Sequence, residues 1–175
     1  MGAILRCVAI LGLVAAMSRS SAFVTTKAQQ TAEGQHVTPS QLDVVLVDTS
    51  GRRGSLKQYA HQTIVLAFWT PWAPTSARAL RPLTLADSEY RSRGVQVVAV
   101  ALDVPLEKSQ YVTQVAKDAG INFPMLLDQG DAAKLFAITG VPTILLIRKD
   151  GMVARQYREP PNAADLFRDL NRLIR

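Results

Sequence analysis

The segment of this sequence best placed to carry chemistry reads Phe-Trp-Thr-Pro-Trp-Ala-Pro-Thr-Ser and occupies residues 68–76. It ends a continuous apolar, β-rich run, and its second proline predicts that a helix begins at Pro74. The free backbone N–H groups in the first turn of a helix stabilise an anion and lower the pKa of a thiol. This segment contains no thiol, so its candidate nucleophile is the hydroxyl of Ser76.

Hydrophobic periodicity predicts the elements that position this segment. Continuous apolar runs indicate strands buried on both faces, and an apolar stripe at helical spacing indicates a helix. Strands are expected over residues 43–48, 63–69, 95–103, 124–128, 143–148 and 152–158, and helices over 74–93, 106–119, 131–138 and from 163. The residues that share one face of the helix over 106–119 are Tyr111, Val112, Val115, Ala116 and Ala119.

Two local signals define the C-terminal part of the chain. Asp150-Gly151 predicts a hairpin between the last two strands. Asn162 is placed to cap the closing helix, with Asp165 at its third position. The order β–β–α–β–α–β–α–β–β–α predicts an α/β sandwich with a mixed sheet, in which parallel crossovers come first and an antiparallel hairpin comes last.

Three motifs in this order resemble the thioredoxin superfamily, and specifically its exported TlpA/ResA-like branch. Residues 68–76 resemble the family's F-W-x-x-W-C-x-x-C run, and residues 140–143 (Gly-Val-Pro-Thr) resemble its G-V-P-T segment with a cis-proline. Residues 43–48 with Ser55-Leu56 are similar to its leading F-x-L-x-D…S-L segment. The resemblance spans about residues 41–175. It implies a thioredoxin-like three-layer α/β/α sandwich and, at the level of the family, thiol–disulfide oxidoreductase activity.

The sequence departs from the family where the chemistry requires cysteine. Ala73 and Ser76 occupy the two cysteine positions, so the motif has become Ala-Pro-Thr-Ser. Neither side chain can form or break a disulfide, because exchange needs an attacking thiolate. Ala67 and Ala79 stand where the resemblance implies acidic residues. Pro82 falls one residue later than the family's helix-kinking proline, so we expect a local adjustment of the helix after the motif.

These departures predict no catalytic residue in the segment. A peroxiredoxin, which shares the fold, would need a peroxidatic cysteine where Ala73 stands. The family pattern places neither His36 nor His61 near Ser76, so we expect Ser76 to have a structural role in the first helical turn. Two histidines, the single cysteine Cys7 and the lack of a carboxylate cluster predict no metal site and no cofactor.

The apolar side chains kept around the motif are candidates for binding. We expect Trp69 in the core, whereas core packing and contact with a partner both remain open for Trp72. In the family, the cis-proline segment offers backbone groups to an extended substrate. For Pro142, a fold-determining turn and a retained peptide-binding role both remain open. The candidate binding residues are Trp72, Pro74, Val141 and Pro142.

Residues 1–22 predict export. A basic residue precedes an apolar run of eleven residues, 7–17, and small residues follow up to Ala22, which is the pattern of a cleaved secretory signal peptide. The run is short for a membrane span of about 20 residues, and an uncleaved anchor that tethers the chain to a membrane is the alternative. Residues 23–41 are polar and aperiodic and are expected to form a flexible tether to a domain over 42–175.

The composition, 48% apolar and 19% charged, is that of a globular protein and not of a disordered chain. The formal charge is +6, from 20 basic and 14 acidic residues. The basic residues are scattered along predicted helices, and no aromatic-plus-basic module accompanies them, so we predict no nucleic-acid binding.

We interpret the chain as an exported, periplasmic, redox-inactive module for binding, assembly or chaperoning. Its partner would be a protein or an extended polypeptide. The alternative is a TlpA-like thiol–disulfide oxidoreductase whose thiols come from a partner or from retained Cys7. A third interpretation is an inert structural subunit. The sequence leaves open whether the protein is an enzyme, and it leaves the oligomeric state open.

Overall fold

The computed structural model of this protein describes residues 33–175. The predicted signal segment 1–22 and residues 23–32 of the predicted tether lie outside the described residues. The strands are β1 (Leu46–Asp48), β2 (Arg53–Gly54), β3 (Thr63–Trp69), β4 (Val95–Ala101), β5 (Met125–Asp128), β6 (Thr143–Ile147) and β7 (Val153–Tyr157). The α-helices are α1 (Pro39–Leu42), α2 (Pro74–Arg78), α3 (Leu80–Tyr90), α4 (Ser109–Asp118), α5 (Ala132–Leu135) and α6 (Ala163–Leu173).

The seven strands form one mixed sheet in the order β2-β1-β5-β4-β3-β6-β7. Strand β4 is parallel to both β3 and β5, whereas β6 is antiparallel to β3 and β7 is antiparallel to β6. The predicted parallel crossovers and closing antiparallel hairpin are therefore confirmed. The central strand β3 ends with Trp69 opposite Ala101 of β4 and Phe68 opposite Thr143 of β6.

Side chains of β3 alternate between two apolar layers, because successive residues of a strand point to opposite faces. On one face, Ala67 and Trp69 lie in the cluster that includes residues of α3, α4 and α6. On the other face, Leu66 and Phe68 lie in the cluster that includes α5, where the Phe68 ring centroid is 5.1 Å from that of Phe136. Helices on both faces of a mixed sheet confirm the predicted α/β sandwich.

The helix after the motif is divided in two. The sequence predicted one helix over 74–93, but α2 ends at Arg78 and α3 begins at Leu80. Pro82 lies in the first turn of α3, where the missing N–H group of proline costs no intrahelical hydrogen bond. The expected local adjustment is therefore an interruption at Ala79.

Residues 33–41, predicted to form the end of the flexible tether, instead belong to the domain. The N–H group of Gly34 donates to the carbonyl of Val153 at 2.8 Å, and that of Val37 donates to Gly151 at 2.9 Å. The side chain of Val37 is buried, and Thr38 caps α1. This segment pairs with the start of β7 and with the residues just before it, at the outer edge of the sheet, where backbone groups would otherwise be unpaired. The domain thus includes residue 33, and its predicted start at 42 is corrected.

No helix within residues 33–175 is both long and apolar enough to cross a membrane.

Candidate binding site at the end of the central strand

The degenerate motif forms the loop between β3 and α2. Ala73 occupies the N-cap position of α2 in an extended conformation, and Pro74 follows as the first helical residue. An alanine N-cap offers no side-chain oxygen to the free N–H groups of the first turn. The first turn is closed instead by the N–H group of Ser76, which donates to the carbonyl of Ala73 at 3.0 Å.

Ser76 is fully buried, and its hydroxyl is held by the loop. The Thr70 N–H group donates to Ser76 Oγ at 3.0 Å, which ties the end of β3 to the first turn of α2. A hydroxyl in this position cannot meet a substrate in solution. The geometry agrees with the structural role that the sequence predicted for this residue.

Neither histidine can serve Ser76 as a base. His61 is exposed and precedes β3 at the end of the strand opposite to the motif, about 20 Å away along a seven-residue strand. His36 pairs with Met152 at the outer edge of the sheet. Within residues 33–175, no group of three or more histidine, cysteine, aspartate or glutamate side chains could hold a metal ion.

The positions that the resemblance associates with acidic residues are buried and apolar. Ala67 is 2% exposed and Ala79 is 1% exposed, and both belong to the cluster around Trp69. The site therefore has no carboxyl group at these positions to take up or release a proton. Trp69 is fully buried, as predicted, and its Nε1, like Thr70 Oγ1, has no hydrogen-bond partner among residues 33–175.

Trp72 is half exposed and does not belong to the core. Its ring meets that of Tyr111 on α4 edge to face, with the ring centroids 5.9 Å apart and the planes at 67°. Both side chains are 49% exposed. The contact joins the motif loop to α4 and presents two aromatic rings to solvent, an arrangement typical of the anchors in protein interfaces.

Sequence reasoning missed Tyr111 as a site residue. It placed Tyr111 on one apolar face of its helix with Val112, but only Val112 is buried in the core. Tyr111 precedes Val115 and Ala119 by four and eight residues, a spacing that lines up side chains along one side of a helix. That spacing was the available signal for a surface row distinct from the buried one.

The segment around Pro142 contributes less accessible surface than expected. The Val141–Pro142 peptide bond is cis, and the Thr143 hydroxyl donates to the carbonyl of Gly140 at 2.7 Å. The Pro142 side chain is buried, so it cannot be the contact surface of a partner, although its neighbour Val141 is only half-buried. Val141 lines a cavity of about 220 Å³ whose lining does not include Trp72.

The four predicted binding residues thus differ in their accessibility. Trp72 and Pro74 are exposed, Val141 is half-buried and Pro142 is buried. The arrangement offers an aromatic contact surface at the end of β3, and residues 68–76 contain no thiol.

The domain matches a known protein family. The AhpC/TSA family matches residues 34–156, which is most of the described domain. The chain belongs to the AhpC/TSA family. The match begins within residues 33–41, in agreement with their place in the domain.

Relatives of established name are thiol–disulfide oxidoreductases. ResA of Bacillus thuringiensis subsp. konkukian is 26% identical over 115 residues, which cover 65% of this chain and 65% of the relative. ResA of Bacillus subtilis is 29% identical over 112 residues, which cover 63% of this chain and 61% of the relative. The chain therefore spans slightly less than two thirds of the length of these relatives.

Solved structures show the same fold. A thiol:disulfide interchange protein of the thioredoxin family from Chlorobium tepidum has a TM-score of 0.66 at 20% identity, covering 82% of this chain and all of that one. A secreted disulfide oxidoreductase of Mycobacterium tuberculosis has a TM-score of 0.68 at 18% identity, covering 78% of this chain and all of that one. Together with the family match, these comparisons confirm a TlpA/ResA-like member of the thioredoxin superfamily.

Proposed function

We propose that this protein is a redox-inactive binding module that uses the surface around Trp72 to hold a segment of another protein. The observation that carries the proposal is the combination found at the end of β3. Trp72 and Tyr111 form an exposed aromatic pair there. The unreactive Ala73 and the buried, hydrogen-bonded Ser76 occupy the two positions where the family has cysteines.

The chemistry of the named relatives requires groups that this surface lacks. Thiol–disulfide exchange needs a thiolate that attacks a disulfide sulfur and a second thiol that resolves the mixed disulfide. Ala73 has no reactive atom, and Cys7, the single cysteine of the chain, lies far from this motif in the sequence. Binding, in contrast, needs only exposed apolar area, which Trp72 and Tyr111 supply.

The place of action that we propose is the periplasm, reached by export. The apolar run at residues 7–17 supports export, and it would serve either as a cleaved signal or as a membrane tether. A secreted structural neighbour from Mycobacterium tuberculosis agrees with this proposal.

An insulin-reduction assay on the full chain tests the redox part of the proposal. We expect the rate of precipitation with dithiothreitol to equal that of dithiothreitol alone, because residues 33–175 contain no thiol. The matched variant is Cys7→Ser, which should behave identically. Activity that Cys7→Ser abolishes would instead establish the alternative, an oxidoreductase that uses Cys7.

A binding assay tests the Trp72 surface. The probe is reduced, carboxymethylated α-lactalbumin, an extended polypeptide that cannot form disulfides, and binding is followed by fluorescence anisotropy. Trp72→Ala should weaken binding about tenfold or more, as expected for a central aromatic anchor. Val45→Ala is the control, since Val45 is 47% exposed and precedes β1, which lies three strands, or about 14 Å, from β3. Equal loss in both variants, or no binding by the native chain, would contradict the proposal.

A further inference from the structure

A groove lies between α2–α3 and α4, the helix that also carries Tyr111. Its volume is about 580 Å³. It is lined by Ala77, Arg78, Arg81, Thr84, Leu85, Val115, Asp118 and Ala119. The cavity is thus distinct from the loop around Val141 and belongs to the helical face of the domain.

The walls of the groove are two rows of side chains at helical spacing. Arg81 and Leu85 are four residues apart on α3, and Val115 and Ala119 are four residues apart along α4 and its C-cap, so each pair lies on one side of its helix. Leu85 is 56% exposed, although most leucines of the domain are buried. The row from Tyr111 to Ala119 extends over about 12 Å, or two helical turns.

Two arginine side chains that line the groove have no acidic partner in the described part of the chain. Arg78 Nε makes a single long contact of 3.4 Å with the carbonyl of Pro74, and Arg81 takes part in no ion pair within residues 33–175. Asp118, at the far end of the groove, already accepts a hydrogen bond of 2.7 Å from Gln114 Nε2. Arg78 and Arg81 therefore give the groove positive charge beside the apolar side chains of Leu85 and Val115.

The backbone of the walls restricts the form that an occupant can take. Both walls are helices, whose N–H and C=O groups are bonded within each helix, so the groove offers no strand edge for an extended segment to join. A helix placed in the groove satisfies its own backbone and presents side chains three and four residues apart. Carboxylates in such a row would meet the guanidinium groups in bidentate geometry.

We propose that this groove binds a short, acidic, amphipathic helix of a partner protein. The apolar side chains of that helix pack on Leu85 and Val115, and its carboxylates pair with Arg78 and Arg81. The inference rests on the proposed function, that the domain binds segments of other proteins, and it specifies the helical part of the partner.

Peptide display on the full chain tests this inference. A phage library of helix-biased 16-residue peptides is selected on the immobilised protein, and the enriched peptides are titrated by fluorescence anisotropy. We expect aspartate or glutamate and large apolar residues to be enriched at spacings of three and four. The double variant Arg78→Glu/Arg81→Glu should weaken the binding of these peptides about tenfold or more.

The matched control reverses the charge of two exposed basic side chains outside the groove. Arg53→Glu/Lys134→Glu changes the net charge by the same amount on residues that do not line the groove, and it should leave the affinity within about twofold. Leu85→Ala should also weaken binding, which a purely electrostatic attraction would not show. Peptides without acidic enrichment, or peptides that bind the Arg78→Glu/Arg81→Glu variant as well as the native chain, would overturn the inference.

The outcomes separate this inference from the proposed function. Redox activity of the native chain in the insulin assay would reject the inactive module and leave the display result valid. Peptides sensitive to Arg78→Glu/Arg81→Glu, together with α-lactalbumin binding that Trp72→Ala does not change, would support the groove and reject the Trp72 surface. The reverse pattern would reject the groove alone.

Discussion

At the scale of single residues, a side chain at a former chemical position has become part of the scaffold. The Ser76 hydroxyl is fully buried and accepts a hydrogen bond from the backbone of Thr70. A buried N–H group that loses its acceptor costs free energy, because no water replaces the lost bond. Ser76 therefore matters to the shape of the loop that carries Trp72.

We expect Ser76→Ala to lower the free energy of unfolding by about 1–3 kcal/mol, since it leaves the Thr70 N–H group buried without a partner. Urea denaturation followed by circular dichroism measures this change. Thr75→Ala is the control, because Thr75 is exposed on the same helix, and it should cost less than about 0.5 kcal/mol. Equal stability of Ser76→Ala and the native chain would show that the hydrogen bond contributes nothing.

Residue types predict some features of the motif and not others. The absence of catalytic thiols follows directly from Ala73 and Ser76. The structural role of Ser76 was predictable from its place in a first helical turn, but its partner Thr70 was not. Whether Trp72 would be buried or exposed also could not be predicted, because apolar character alone does not say which neighbours cover a side chain.

At the scale of elements, the turn from β3 into α2 still has the geometry that a disulfide requires. Ala73 is the N-cap and Ser76 is the third helical residue, joined by the backbone hydrogen bond of 3.0 Å between them. One helical turn brings the Cα atoms of such residues within the range of about 4.4–6.8 Å that a disulfide spans. The backbone at these two positions would therefore allow a disulfide, and it is the side chains of Ala73 and Ser76 that do not.

We expect the variant Ala73→Cys/Ser76→Cys, made in a Cys7→Ser background, to form an intramolecular disulfide and to reduce insulin. Thiol titration should find two thiols after reduction and none after oxidation. The control variant Ala73→Cys/Thr75→Cys places the second cysteine two residues on, where it does not face the first, and it should keep both thiols. Two free thiols in the first variant after oxidation would show that the loop no longer supports the motif.

At the scale of the whole molecule, the edge of the sheet depends on residues outside the predicted domain. Residues 33–37 lie beside residues 151–153 at the start of β7, with hydrogen bonds from Gly34 to Val153 and from Val37 to Gly151. The composition of this segment did not predict its place in the sheet, because the segment is polar and is held largely through its backbone. The buried side chain of Val37 is the single strongly apolar contact of this stretch.

We expect a chain that begins at residue 42 to be less stable than one that begins at residue 33 by about 2–4 kcal/mol. The loss combines the burial of Val37 with that of the backbone hydrogen bonds to β7. Chemical denaturation measures the difference, and size-exclusion chromatography should show association through the uncovered edge. Val37→Ser in the full chain should reproduce part of the loss, and equal stability of the two truncated chains would contradict the role of this segment.

The sequence by itself determined the succession of the main strands and helices along the chain, the family and the lack of cysteine at the two motif positions. Each of these depends on residue type and on spacing within one element, as in the apolar run of β3, the Asp150-Gly151 turn and the Asn162 cap, whose side chain accepts from the N–H group of Asp165 at 2.8 Å. Such features are encoded locally, so one sequence suffices to predict them.

Only the tertiary structure decided which apolar surface stays open. The contact between Trp72 and Tyr111 and the groove between Leu85 and Val115 join elements that are distant in the sequence. Helical periodicity indicates an apolar face but not how much of that face its neighbours cover. The candidate binding surface arises because α4 packs on the core through Val112 and leaves Tyr111 exposed, while Val115 is only partly buried.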